Sequence, residues 1–193
     1  MHVTVVHAHP SPSSFSHGLL DVTREALSRH DLDLCDLYAD DFNPVMTASA
    51  HREYLGDRPI QDPLVQHYAD CVVRADALVF VYPTWHSGVP AMMKGWFEKV
   101  LVNGVAFGFD DKDRIRPRMG HIKRIAGVTT YGSSRLAVAL STDGGRRTVQ
   151  RALRVSTGLR TKSTWLGLYG MDSTTDAQRT VFVDRVRREF EQW

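Results

Sequence analysis

Residues 7–16 read His-Ala-His-Pro-Ser-Pro-Ser-Ser-Phe-Ser and lead from an apolar run into a helical pattern. Free amides and the dipole at a helix start favour an anion. Ser13, Ser14 and Ser16 add short hydroxyl donors, and His9 adds another. A hydrogen bond to a charged group contributes about 1.5–3 kcal/mol, so three or four together would hold a phosphate or pyrophosphate firmly. A serine-rich helix cap without a ligand explains the same residues. The stretch lacks the Gly-Lys-Ser/Thr of a Walker loop, which disfavours triphosphate hydrolysis.

Two further stretches carry unusual side chains. Pro83-Thr84-Trp85-His86 follows a second apolar run, with Gly88 and Pro90 close behind. Trp85 and His86 offer a planar apolar surface with a polar edge, which suits a flat heteroaromatic ring; a tryptophan packed as a loop anchor is the alternative. Thr129-Thr130-Tyr131-Gly132-Ser133-Ser134 mixes small and hydroxyl residues. Small side chains let backbone N–H groups approach a ligand, where they would stabilise negative charge arriving on a reduced ring. An ordinary strand-to-helix turn has the same composition.

Metal and nucleic-acid readings are weaker. His7 and His9 share a strand face, but no third ligand stands at metal spacing, so no metal site is assigned. Cys35 and Cys71 are widely separated and read as reduced thiols of a cytoplasmic protein. The formal charge of +2 is too balanced to argue for nucleic acid. Lys112, Arg114, Arg116, Arg118, Lys123 and Arg124 could meet nucleotide phosphates, yet interleaved Asp110, Asp111 and Asp113 favour a solvated face. Arg146, Arg147, Arg151 and Arg154 read in the same way.

Strands and helices alternate along the whole chain to position these loops. Strands are expected at Val3–His7, Leu32–Asp36, Ala77–Tyr82, Ile125–Thr130 and Thr164–Tyr169. Helices are expected over Phe15–Ser28, Ala48–Leu55, from Asp62-Pro63 to about Arg74, over Pro90–Val100, and from a cap at Thr175 or Asp176. Phe182, Val186, Phe190 and Trp193 fall on one face of the last helix. Asp110–His121 lacks periodicity and reads as a long loop. Alternation predicts α/β architecture: a doubly wound, five-stranded parallel sheet of flavodoxin-like order 2-1-3-4-5, in one domain spanning residues 1–193. Loops after strands one, three and four would then converge at one edge. Apolar runs fall short of the roughly 20 residues that span a bilayer, so no integral membrane segment is expected.

With the three loops in place, the chain resembles the NAD(P)H quinone oxidoreductases of the flavodoxin-like fold, which include animal quinone reductases and bacterial accessory reductases of potassium efflux. The resemblance runs from His7 to about Thr130 and is carried by three segments. These are His7-Ala8-His9-Pro10 with Ser14-Phe15-Ser16, Asp36-Leu37-Tyr38 with Phe42-Asn43-Pro44, and Pro83 through Gly88-Val89-Pro90-Ala91 to Lys94-Gly95-Trp96-Phe97-Glu98-Lys99-Val100. It implies that His9, Ser14, Phe15 and Ser16 contact the phosphate of FAD or FMN. It further implies that Pro83, Thr84, Trp85 and His86 flank the ring, and that Thr129, Thr130 and Gly132 close its other edge. A homodimer is implied as well. The animal enzymes' Tyr and His proton relay after the fourth loop has no counterpart here, which leaves His86 and Tyr131 as candidates for handling charge. The expected activity is transfer of two electrons from NAD(P)H to a quinone or similar small-molecule acceptor. Alternatives are a regulatory subunit of a potassium efflux transporter and a flavodoxin-type one-electron carrier.

Overall fold

The computed structural model describes residues 1–56, 58–158 and 160–193. The chain begins with β1 (His2–His7), α1 (Phe15–Ala26), β2 (Asp31–Asp36), α2 (Ala48–Glu53) and α3 (Pro63–Arg74). It continues with β3 (Ala77–Pro83), α4 (Ala91–Val100), β4 (Phe107–Phe109), β5 (Ile115–Pro117) and β6 (Arg124–Thr130). Helices α5 (Arg135–Leu140), α6 (Gly144–Arg147) and α7 (Leu153–Thr157) follow, with a π-helical turn over Thr148–Ala152. Strand β7 (Lys162–Leu168), a 3-10 turn (Met171–Ser173) and α8 (Asp176–Glu191) complete it.

Five strands form a parallel sheet ordered β2-β1-β3-β6-β7, the expected order once the short hairpin strands are set aside. Every residue of β3 is buried, as a central strand covered on both faces requires. Alternation divides its side chains between two cores. Leu78, Phe80 and Tyr82 join Trp96 and Met93 of α4 on one side. Ala77, Val79 and Val81 join Leu19 and Leu20 of α1 and Phe182, Val186 and Phe190 of α8 on the other. Helix caps fall at the polar residues that the sequence offered: Ser14 Oγ accepts from His17 N, Asp62 caps α3, and Thr175 with Gln178 forms a capping box on α8.

Two expectations need correction. The stretch around Asp110–His121 is not a plain loop, since β4 and β5 pair antiparallel across it. Its turn is organised by Asp110, which accepts the backbone N–H groups of Lys112 and Arg114 and pairs with the guanidinium groups of Arg114 and Arg116. Those hydrogen bonds, the Arg114 N–H first among them, hold the Asp110 carboxyl at about 2. A turn built on charge leaves no apolar period to read. Arg114 and Arg116 are thereby engaged with Asp110, and Lys123 with Asp76, so three of the six basic residues in this run are paired internally. Between β6 and β7 the helical structure is broken, with Thr142 at φ 65° preceding Asp143-Gly144-Gly145. Strand β7 starts at Lys162 and ends at Leu168, ahead of the expected Thr164–Tyr169. Among the described residues no helix is long and apolar enough to cross a membrane.

The turn containing Asn43-Pro44 packs directly on α4. A Cβ on Gly95 would lie 2.4 Å from Pro44 Cβ and 2.5 Å from the Pro44 carbonyl oxygen, so backbone and a rigid ring both stand in its way. Gly95→Ala therefore lowers stability by about 1–3 kcal/mol, the usual cost of overpacking. Chemical denaturation checks this. Pro44→Ala in the same chain does not restore stability, because the carbonyl clash persists.

Candidate functional site

Parallel register sets His7 level with Val81, and Val81 level with Val128. The loops after β1, β3 and β6 therefore leave the sheet at one edge, where open α/β sheets take ligands. They enclose a cleft of about 290 Å³. The first loop contributes His9, Ser14, Phe15 and Ser16; the second contributes Pro83, Thr84 and Trp85; the third contributes Thr130 and Gly132. Thr129 does not reach this cleft. It is fully buried beneath it, with Oγ1 2.9 Å from Thr84 Oγ1, and so braces two loops against each other. The Thr84 N–H reinforces that link by donating to the Thr130 carbonyl at 2.8 Å.

The start of α1 forms the floor. Amides of a first helical turn have no intrahelical acceptor. Ser14 Oγ takes that of His17 at 3.1 Å. Ser16 Oγ is buried and has no hydrogen-bond partner among the described residues. Leaving a buried hydroxyl unsatisfied costs roughly 1–3 kcal/mol, so an acceptor arriving in the cleft would recover that loss. His9 Nδ1 accepts the Ser11 N–H at 3.0 Å, which leaves Nε2 for a ligand. Arg179 lies over the Phe15 ring with its guanidinium carbon 6.0 Å from the ring centroid, adding positive charge beside the helix start.

Trp85 is half exposed at the mouth, 6.0 Å from His9 between ring centroids. A two-residue turn holds it there. Trp85 and Gly88 exchange backbone hydrogen bonds at 3.1 and 3.0 Å, while His86 and Ser87 sit at φ 47° and 60°. Left-handed geometry at a non-glycine residue costs of order 1–3 kcal/mol and persists only where neighbours enforce it. Here the Gly144 N–H donates to the Ser87 carbonyl at 2.9 Å. A Cβ on Gly144 would meet that same oxygen at 2.9 Å, so the close approach needs glycine.

His86 and Tyr131 line an adjoining cleft of about 260 Å³ that shares Thr84 and Gly132 with the first. The two candidates differ sharply. Tyr131 is buried, its hydroxyl donates to Asp143 Oδ2 at 2.6 Å and accepts from Trp165 Nε1 at 3.1 Å, and its ring stacks on Tyr169 at 4.4 Å. Burial, then the hydrogen bond to Asp143, raise its pKa far above the ordinary phenol value. Tyr131 is thus held on both sides as a strut, whereas His86 is exposed at the opening. Sequence reading missed Asp143, Gly144, Met171 and Asp172, the last two of which line the ring-sized cleft. The Asp-Gly-Gly turn signal was present, but nothing local ties it to Tyr131.

Residues 1–175 match the Flavodoxin_2 family, described as a flavodoxin-like fold. The chain belongs to this family. It is 29% identical over 170 residues to ribosyldihydronicotinamide dehydrogenase [quinone] of Pongo abelii, covering 75% of this chain and 70% of that protein. It is 31% identical over 149 residues to NAD(P)H dehydrogenase [quinone] 1 of Rattus norvegicus, covering 67% and 53%, so the match spans about half of the rat protein. The solved NAD(P)H:quinone oxidoreductase of Methanothermobacter marburgensis superposes with TM-score 0.80 at 28% identity, covering 100% of this chain and 95% of that one.

One expected absence rested on an incomplete cluster. The structure brings His17 and Asp36, rather than His9, to His7, with a ligand atom from each within 4.8 Å of the others. His7 is fully buried, its Nδ1–H donating to the Val81 carbonyl at 3.0 Å, and its Nε2 has no partner among the described residues. Burial lowers its pKa below 6.5, outweighing the opposing effect of Asp36, while His17 and His9 add to the depression. The unfolded chain therefore binds a proton that the folded chain resists. Stability is retained above about pH 6.5 and declines as pH falls below it. Melting temperatures measured from about pH 8 to about pH 5 should show that decline. In His7→Gln the slope should flatten; equal slopes in both chains contradict the assignment.

Proposed function

We propose that this chain is a flavin-dependent NAD(P)H oxidoreductase that reduces a quinone or a similar acceptor. The observation that carries this reading is the unsatisfied, buried hydroxyl of Ser16, a helix-start residue that lines a cleft with a half-exposed indole among its walls. A grip for an anion and a platform for a flat ring lie within one cavity, and the residues present fit a flavin nucleotide. A bound flavin would supply the two-electron transfer between nicotinamide and acceptor; the protein's part is binding and orientation.

On this reading the amides of Phe15 and Ser16, Ser16 Oγ and His9 Nε2 hold the flavin phosphate. Ser14 contributes by fixing the first turn of α1 and not through a free hydroxyl. Pro83 and Trp85 flank the ring, and Thr84 and Thr130 fix the loops on either side of it. Gly132 admits a close backbone approach at the far edge. His86, at the opening, is the side chain placed to exchange a proton with an acceptor. Names of relatives with 28–31% identity support the donor and acceptor classes. Opposing these grips is Asp172, whose carboxylate lies 3.3 Å from a Cβ built on Gly132 and disfavours a phosphate at that end of the cleft. That leaves the α1 end for the phosphate and the Gly132 end for the ring.

The test is spectroscopic. Chain purified with added flavin should be yellow, bleach when mixed anaerobically with NADPH, and regain colour when a quinone is added. A colourless preparation, or colour that NADPH leaves unchanged, rejects the proposal. Ser16→Ala should weaken flavin binding about tenfold or more, the loss of one hydrogen bond to a charged group. Mass spectrometry of the released flavin assigns FMN or FAD.

A further inference from the structure

We propose that a second cleft, walled by Arg146, Arg147 and Arg151, receives the 2′-phosphate of the dinucleotide donor and so selects NADPH over NADH; this rests on the oxidoreductase reading above. The cleft has a volume of about 500 Å³ and is also lined by Asp143, Gln150 and Ser163. Sequence alone counts these arginines as a solvated helix face. The structure gives them a concave setting instead.

The backbone explains how they come together. In a regular α-helix, residues five apart point about 140° away from each other. The π-helical turn over Thr148–Ala152 inserts an extra residue into one turn, which brings positions 146 and 151 toward the same side. Arg147, four residues before Arg151, shares that side. Turns of this kind are frequent at functional sites.

The charges are available. Among the described residues, Arg146, Arg147 and Arg151 form no ion pair, and the Arg146 Nε–H donates to Gln150 Oε1 at 2.7 Å. The acid that lines the cleft is already committed on both oxygens: Asp143 Oδ2 accepts from Tyr131 and Oδ1 accepts the Arg146 N–H at 3.0 Å. Ser163 Oγ is a buried hydroxyl without a partner among the described residues. Guanidinium forks and an unsatisfied hydroxyl suit a phosphomonoester, which carries about 1.5–2 negative charges at neutral pH.

Connection to the ring cleft selects the ligand class. Asp143 lines both the arginine cleft and the cleft of His86 and Tyr131, and the latter shares Thr84 and Gly132 with the ring cleft. An extended molecule with its nicotinamide at Trp85 can run past Asp143 toward the arginines. A 2′-phosphate is the group that distinguishes NADPH from NADH, and it lies at the end of the molecule away from the nicotinamide.

Calorimetric titration of the flavin-loaded protein with adenosine 2′,5′-bisphosphate, adenosine 5′-monophosphate and inorganic phosphate tests this without turnover. The bisphosphate should bind about tenfold or more tightly than the monophosphate, and inorganic phosphate more weakly than either. Arg147→Gln with Arg151→Gln should abolish the preference while melting temperature and flavin content stay unchanged. Arg185→Gln, at an exposed position of α8, should preserve it. Equal binding of the two nucleotides by the unaltered protein overturns the inference, as does a preference that survives the double substitution. Inorganic phosphate binding as tightly as the bisphosphate overturns it too, since the cleft would then be a general anion site. Should NADPH bleach a protein that binds both nucleotides equally, the phosphate assignment fails and the oxidoreductase reading stands. A bisphosphate preference without bleaching has the opposite meaning.

Discussion

Parallel pairing of β1, β3 and β6 is the constraint on which the site depends. Because His7, Val81 and Val128 share one level, three loops distant in sequence must begin within one strand spacing of their neighbours. A parallel sheet of this kind needs helices on both faces, and the two cores supply them from alternate residues of β3. The site is therefore fixed by burial of apolar strands and helices well away from it. Some of its polar residues brace the loops, as Ser14, Thr84 and Tyr131 do, which leaves Ser16 and His86 without such duties.

Strain at the mouth shows how this freedom is used. His86 and Ser87 occupy left-handed geometry that non-glycine side chains disfavour, and they stay there because the Gly144 amide clamps the Ser87 carbonyl. Gly144 is in turn held where Asp143 caps the following turn and accepts from Tyr131. A Cβ on the next residue, Gly145, would lie 2.9 Å from the Tyr82 hydroxyl, so this segment is pressed against the end of β3 itself. The chain of contacts from buried strand to exposed indole is short: a close approach of Gly145 to the Tyr82 ring, then backbone hydrogen bonds from Gly144 to Ser87 and between Gly88 and Trp85. Preorganisation of this sort lowers the cost of ordering the site when a ligand enters.

Much of this was legible in the residues. The apolar run of β3, with Pro90 opening the next helix, gave the strand and its loop. Nine of the residues first singled out line one cleft. What was hidden has a common cause. Thr129 alternates with its neighbours along a strand that is buried on both faces, so no pattern shows that its hydroxyl braces Thr84. Tyr131 looked like a free phenol because its partners, Asp143 and Trp165, lie 12 and 34 residues away. The β4–β5 hairpin went unread because one carboxylate, Asp110, organises it rather than alternating apolar residues. Local periodicity reports burial; it does not report which polar groups meet across a fold.

The two proposed anion grips differ in chemistry, and their placement gives a reason. At the start of α1 the proposed donors are amides, a hydroxyl and an imidazole, with Arg179 over the Phe15 ring beside them. Such donors hold an anion by hydrogen bonds while adding little net charge near the ring. The guanidinium groups stand on the other side of Asp143, in a separate cleft. Coulomb energy falls with distance and is weakened further by water, so charges placed there act on what reaches them and little on the ring. A protein that must bind a multiply charged donor, yet leave the electron affinity of its redox group to local hydrogen bonds, benefits from that separation. Asp143 maintains it: with one hydrogen bond on each oxygen, from Tyr131 and from the Arg146 amide, it is fixed at the boundary between the clefts.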